Sequence, residues 1–260
     1  MDIGIKGRKA IVCAGSKGMG RAAAWRLSLE GAQVVIVART EASLAQAAKE
    51  IADESGNPVD YFAADLTSVE GRKSLLSVHP ETDILVASPG VPQRSIPYTE
   101  LTQEDWAWWF EAHFHASIDL IHAYTPGMCE RHFGRIVNVS ANFIKFPQVG
   151  VAHSHAARLA LAGAIASLVR EVARHNVTIN SVLPGLIDTE ALQAALTQRA
   201  KAQAVPYETI VAEVCKRTAA ARLADPQEAG DLIAMLCANQ MGYVTGQNIV
   251  NDGGAYEGLF

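Results

Sequence analysis

Three glycines, Gly15, Gly18 and Gly20, stand where an apolar run ends and a helix-like stretch begins. The run covers 10–14 and the stretch covers 21–29. Glycine lets a backbone turn sharply and lets a ligand come close to it. A helix N-terminus just beyond offers unpaired N–H groups and partial positive charge to a pyrophosphate. A glycine turn alone is weak evidence. Strand before, helix after, near the start of an alternating chain, is the context a dinucleotide site requires. Metal chemistry has less support. His113, His153 and His155 lack the carboxylate or cysteine spacing of a metal site, so no metal is expected.

These residues need a scaffold. Short apolar runs at 33–37, 59–63, 83–87, 134–140, 176–183 and 247–250 read as further strands. Helical stretches alternate with them at 41–54, 67–78, 102 to about 124, 153–175, 188–220 and 226–237. Thr102 opens the longest with Asp105 three residues on, a capping box. Pro126-Gly127 is expected to interrupt that helix, and Pro206 to break the one at 188–220. The alternation predicts one α/β domain over 1–260, a Rossmann-type, doubly wound parallel sheet with helices on both faces. Ligands then bind beyond the C-terminal strand ends.

Composition narrows the function. The 260 residues are 49% hydrophobic and 19% charged, with a formal net charge of −5. A mildly acidic chain without a basic block argues against nucleic acid as partner. No apolar run reaches the ~18 residues of a membrane span. The N-terminus lacks the pattern of a signal peptide. Cys13, Cys129, Cys215 and Cys237 form no CxxC pair. They are expected to be reduced and buried, which suits a cytoplasmic protein.

Several ordered segments now carry a resemblance. Ala14-Gly15-Ser16-Lys17-Gly18-Met19-Gly20, the strand from Gly134 to Ser140, Pro184-Gly185-Leu186-Ile187-Asp188-Thr189 and Asp252-Gly253-Gly254 resemble the short-chain dehydrogenase/reductase family. Within it the chain is similar to the 3-oxoacyl-carrier-protein reductase-like group. The resemblance covers nearly the whole chain. It implies a cofactor held by Gly15, Ser16, Lys17, Gly18, Met19 and Gly20, with Asp65 and Leu66 at the adenine and Gly90 between. Pro184, Gly185, Ile187 and Thr189 would lie on the nicotinamide side. It also implies a homotetramer, formed across the helices that carry His113 and Arg158, and a mobile substrate lid at about 190–218.

Charge refines the cofactor. Members that use NAD usually carry an acid at the end of the second strand, where this chain has Ala38 followed by Arg39. With Lys17 in the glycine turn, two cations and no acid suit a 2′-phosphate, hence NADP(H).

The resemblance breaks at the catalytic positions. Standard members use Asn, Ser, Tyr and Lys. Here the Asn falls on His113, the Ser on Ala141 with Ser140 one place earlier, and the Tyr-x-x-x-Lys pair on Ser154 and Arg158. Strand alternation would point Ser140 the other way from the usual serine. A divergent oxoacyl-reductase-like branch carries a similar Ser-x-x-x-Arg pair. A serine hydroxyl is a far weaker acid than a phenol near ~10, and arginine stays protonated above ~12. Ser154 and Arg158 therefore cannot run the usual proton relay, although Arg158 can hold a ribose or an oxyanion. Histidine titrates near ~6.5 and is the replacement donor, with His113 and His155 the candidates and His153 behind them. Lys145 could meet an anionic substrate. Trp106, Trp108 and Trp109 suit core or interface better than a substrate wall.

The reading is an NADP(H)-dependent oxidoreductase acting on a carbonyl, quinone or imine, with catalytic His113, Ser140, Ser154, His155 and Arg158. Two alternatives stay open. One is a nucleotide-binding protein without redox turnover. The other is a non-redox lyase similar to halohydrin dehalogenases, whose arginine Arg158 matches.

Overall fold

The computed structural model describes residues 2–91 and 94–259. Seven parallel strands form one sheet in the order β3-β2-β1-β4-β5-β6-β7. They are β1 (Lys9–Cys13), β2 (Gln33–Ala38), β3 (Val59–Ala63), β4 (Ile84–Ala87), β5 (Gly134–Val139), β6 (Val177–Pro184) and β7 (Asn248–Asn251). Every residue of β4, β5 and β6 is buried, because helices cover both faces of a parallel sheet. One face packs on α1 (Gly18–Leu29), α2 (Glu41–Ser55) and α9 (Pro226–Leu236) through Leu27, Leu44, Ile51 and Ile233. The other packs on α3 (Val69–Val78), α5 (Ala116–Glu130) and α6 (Ala152–Val172) through Leu75, Leu120, Tyr124 and Leu161. Between them in the chain lies α4 (Gln103–Phe110), capped by the Thr102–Asp105 box. A small separate cluster around Leu196, Ile210 and Val214 joins α7 (Glu190–Gln203) to α8 (Tyr207–Cys215). Strand order reverses between β1 and β4, which opens a crevice at their C-terminal ends.

The longest helix departs from its sequence pattern twice. A π-turn over Glu111–His115 separates α4 from α5. Arg72 of α3 clamps it, with Nη2 2.6 Å from Glu111 and Nε 2.9 Å from Asp119. The helix also runs through Pro126 to Glu130 instead of stopping there. Pro126 is exposed, and so is His122, whose carbonyl the proline leaves unbonded, so water can serve it. Cys129 differs from expectation as well: it is half-buried, whereas Cys13, Cys215 and Cys237 are buried. Among the described residues no helix is long and apolar enough to cross a membrane.

Candidate functional site

The crevice holds a cavity of about 630 Å³ lined by the glycine turn, the ends of β2, β4 and β5, Arg158 of α6 and the start of α7. The turn is built for close approach. Gly18 takes φ +53°, a left-handed backbone that glycine adopts without strain. At Gly20 a Cβ would meet the Ala14 carbonyl oxygen at 2.3 Å, so only hydrogen fits. Helix α1 starts at Gly18, inside the turn, rather than at Arg21.

Neither α1 nor α2 has a side-chain cap, although both begin at the cavity wall. By contrast Ser68, Thr102, Thr189 and Asp225 each cap their helix. The uncapped N–H groups at the cavity are the donors a phosphate uses. Beside α2 stand Arg39, Thr40 and Ser43. Thr40 occupies the cap position yet makes no cap bond. Arg39 has no carboxylate partner among the described residues, so its charge stays available. Asp65 lines the wall while its carboxylate accepts from the Thr67 hydroxyl at 2.7 Å and the Thr67 N–H at 3.0 Å. At the cavity mouth Lys17 Nζ donates to Glu190 at 2.6 Å.

Of the residues singled out from sequence, Ser16, Lys17, Gly18, Met19, Gly20, Arg39, Asp65, Leu66, Gly90, Ser140, Arg158 and Thr189 line this cavity. Ser140 does not turn away: it leaves β5 facing the cavity, and its buried hydroxyl has no partner among the described residues. Gly15, Pro184, Gly185 and Ile187 do not line the cavity. Gly15 packs on Ile36, where a Cβ would stand 2.7 Å from that side chain. Gly185 packs on Asp252, where a Cβ would stand 2.5 Å away. Ile187 is buried and pairs with Ala224. Thr40, Ser43 and Glu190 are wall residues the sequence reading missed. A hydroxyl or an acid at a helix start reads as a cap or a dipole complement, and at Thr40 the missing cap bond separates the two.

The histidines divide. His113 sits in the π-turn, 2% exposed, with both ring nitrogens unpartnered among the described residues. Its ring stacks on Trp109 at 5.1 Å, and His153 touches the same indole at 4.4 Å. Burial, then the nearby Arg158 charge, pull His113 from 6.5 down to about 2. Burial thus favours the neutral imidazole, whereas the sequence predicts a proton donor at this position. His153 is likewise pulled down, mainly by burial. His155 is half-buried against Phe143 and lies outside the cavity wall. Trp109 is core, while Trp108 is 48% exposed. Ser154 is fully buried and accepts from Arg158 Nε at 3.2 Å, so it orients the guanidinium. Burial pulls Arg158 from 12.5 to about 10, which leaves it charged at neutral pH. Among the described residues no three histidine, cysteine or acidic side chains gather as metal ligands.

The family model described as enoyl-(acyl carrier protein) reductase matches residues 13–256. A 3-oxoacyl-[acyl-carrier-protein] reductase of Vibrio cholerae serotype O1 is 29% identical over 256 residues, 97% of this chain and 98% of that protein. Dehydrogenase/reductase SDR family member 4 of Oryctolagus cuniculus is 30% identical over 250 residues, 95% of this chain and 92% of that one. The crystal structure of L-sorbose reductase from Gluconobacter frateurii, complexed with NADPH and L-sorbose, shares 28% identity and covers 100% of both chains at a TM-score of 0.92. The chain belongs to the short-chain dehydrogenase/reductase family of oxidoreductases.

Proposed function

We propose that this chain is an NADP(H)-dependent reductase of small carbonyl compounds. The observation that carries it is the Arg39 guanidinium, without a carboxylate partner among the described residues, beside two uncapped helix N-termini on one cavity wall. The wall has no acid at the end of β2, where Ala38 and Arg39 stand, so nothing there repels a 2′-phosphate. The N–H groups of α1 take the pyrophosphate, Arg39 with Thr40 and Ser43 the 2′-phosphate, and Asp65 and Leu66 flank the adenine. When bound, NADPH supplies the hydride.

The chain's own residues then act on the substrate. Ser140 and Arg158 line the inner wall together with Ser88, and the Ser140 hydroxyl and the Arg158 guanidinium are donors to a carbonyl oxygen placed there. Negative charge builds on that oxygen as the carbon is reduced, and a fixed guanidinium stabilises it. Ser154 holds Arg158 in place. His113 stays neutral and stacks on Trp109 behind the cavity lining. The proton comes from water. The α7–α8 pair covers the substrate end, and the protein works as a cytoplasmic homotetramer.

Single-turnover oxidation of NADPH, followed at its absorbance maximum, tests this reading. A screen of ketones and oxo acids is expected to give at least one substrate. Arg158→Gln is expected to slow turnover by ~10²-fold, the usual size of an oxyanion contact. NADPH binding without turnover on any carbonyl would favour a nucleotide-binding protein instead.

A further inference from the structure

Arg158 is a charged group with nothing of opposite charge beside it among the described residues. Its Nε donates to Ser154, and its guanidinium carbon lies 5.8 Å from the Phe143 ring centre. Among the described residues its two Nη atoms have no hydrogen-bond partner and no carboxylate within reach. The two acids of the cavity wall are engaged elsewhere, Asp65 by Thr67 and Glu190 by Lys17. His113 nearby is neutral. On the same wall the Ser140 hydroxyl is buried and unpartnered. A sheltered cation and an orphaned hydroxyl both cost stability in a folded chain. A bound anion would satisfy the two together.

The nucleotide does not supply that anion. Its phosphates belong at the glycine turn and Arg39, at the other end of the cavity. The nicotinamide is neutral when reduced and positive when oxidised. The ribose hydroxyls can accept from Arg158 but bring no charge, so the negative charge comes with the substrate. Two Nη donors in one plane match two oxygens held in one plane. A carboxylate directly bonded to a carbonyl presents such a pair, one oxygen from each group.

The geometry points to a small 2-oxo acid as the substrate class, its carboxylate and carbonyl oxygens held by the Arg158 fork with Ser140 as a further donor. This deepens the reductase reading and rests on it. The carbonyl carbon gains a hydride at the expense of NADPH, which leaves as NADP+. The carbonyl oxygen keeps the π electron pair and takes a proton from water. The carboxylate is unchanged, and the product is a 2-hydroxy acid. The permanent charge of Arg158 binds the carboxylate in the ground state and the alkoxide as it forms.

The test is calorimetric titration of the protein saturated with NADPH. The probes are oxamate, a carboxylate with an unreactive amide in place of the ketone, and oxamide, its neutral counterpart. Oxamate is expected to bind at least thirtyfold more tightly than oxamide, because only oxamate brings a carboxylate to the half-buried Arg158 charge. Arg158→Gln is expected to erase that difference. Arg158→Lys keeps the charge without the fork, and is expected to retain the preference at lower affinity. Ser140→Ala is expected to weaken oxamate about fivefold. Equal binding of oxamate and oxamide, or an unchanged preference in Arg158→Gln, would overturn the inference. NADPH binding with no oxamate binding would sink the oxo-acid class alone. Failure of NADPH to bind would sink the reductase reading, and this inference with it.

Discussion

Lys17 Nζ lies 2.6 Å from the Glu190 carboxylate, so an ion pair joins the glycine turn to the first residue of α7 across the cavity mouth. Thr189, the residue before Glu190, packs so close that a Cβ on Gly18 would stand 3.0 Å from its methyl. The pair is exposed, and such pairs are individually weak. Its consequence is competition: a carboxylate sits on the cation that a nucleotide phosphate would use. Glu190→Gln is expected to tighten NADPH binding by up to about fivefold, the ceiling for an exposed pair. Calorimetry of the variant beside wild type checks this. Weaker binding would mean that Glu190 orders the turn rather than competing with phosphate.

Arg39 is the cation assigned to the 2′-phosphate. Hydrogen bonds to charged groups contribute about 1.5–3 kcal/mol, or roughly ten- to hundredfold in affinity. Arg39→Ala should lose that factor for NADPH and little for NADH, which lacks the phosphate. Dissociation constants for the two nucleotides on the two proteins decide it. An equal loss for both would place Arg39 elsewhere in the site.

His113 gives a signature in acid. Its pKa lies near 6.5 when unfolded and is held down to about 2 in the folded chain, because burial disfavours the imidazolium. Between these values the unfolded chain takes up a proton that the folded one refuses. Stability from this group is present above pH 6.5 and lost as pH falls below it. At pH 5 the loss is about 2 kcal/mol. His113→Asn removes the titration, so the variant should lose less stability than wild type between pH 7.5 and pH 5. Urea unfolding at the two values measures it, and equal losses would argue against a buried neutral ring.

Ala14 holds φ +54° in the glycine turn, a left-handed conformation. That backbone costs an L-residue about 1–2 kcal/mol. Ala14→Gly should relieve it and raise the stability by about 1 kcal/mol, or Tm by roughly 2–4 °C. A lower Tm would show that unfolded-state entropy of the added glycine outweighs the strain.

The alternation of strand and helix made the sheet legible, because each element carries its own period and boundary residues. Boundaries were less so. Helix α1 begins at Gly18, and glycines in a first turn read as loop by propensity. Pro126 reads as a helix end, yet the carbonyl it leaves unbonded faces solvent, so the helix continues. In the site, the glycine turn, Arg39, Asp65 and Arg158 were legible by type and order, whereas strand alternation misplaced Ser140, which leaves β5 facing the cavity. The histidines were not. His113 and His153 converge on Trp109 from two helices, while His155, two residues from His153, faces Phe143. That separation depends on how α6 packs against the π-turn, which no local pattern encodes.

The cavity beside Arg39 is the NADP(H) site. Titrating ligand-stripped protein with NADPH and with NADH tests it most directly. NADPH is expected to bind at least tenfold more tightly than NADH, with the difference removed by Arg39→Ala. Equal affinities, or no heat with either nucleotide, would contradict it.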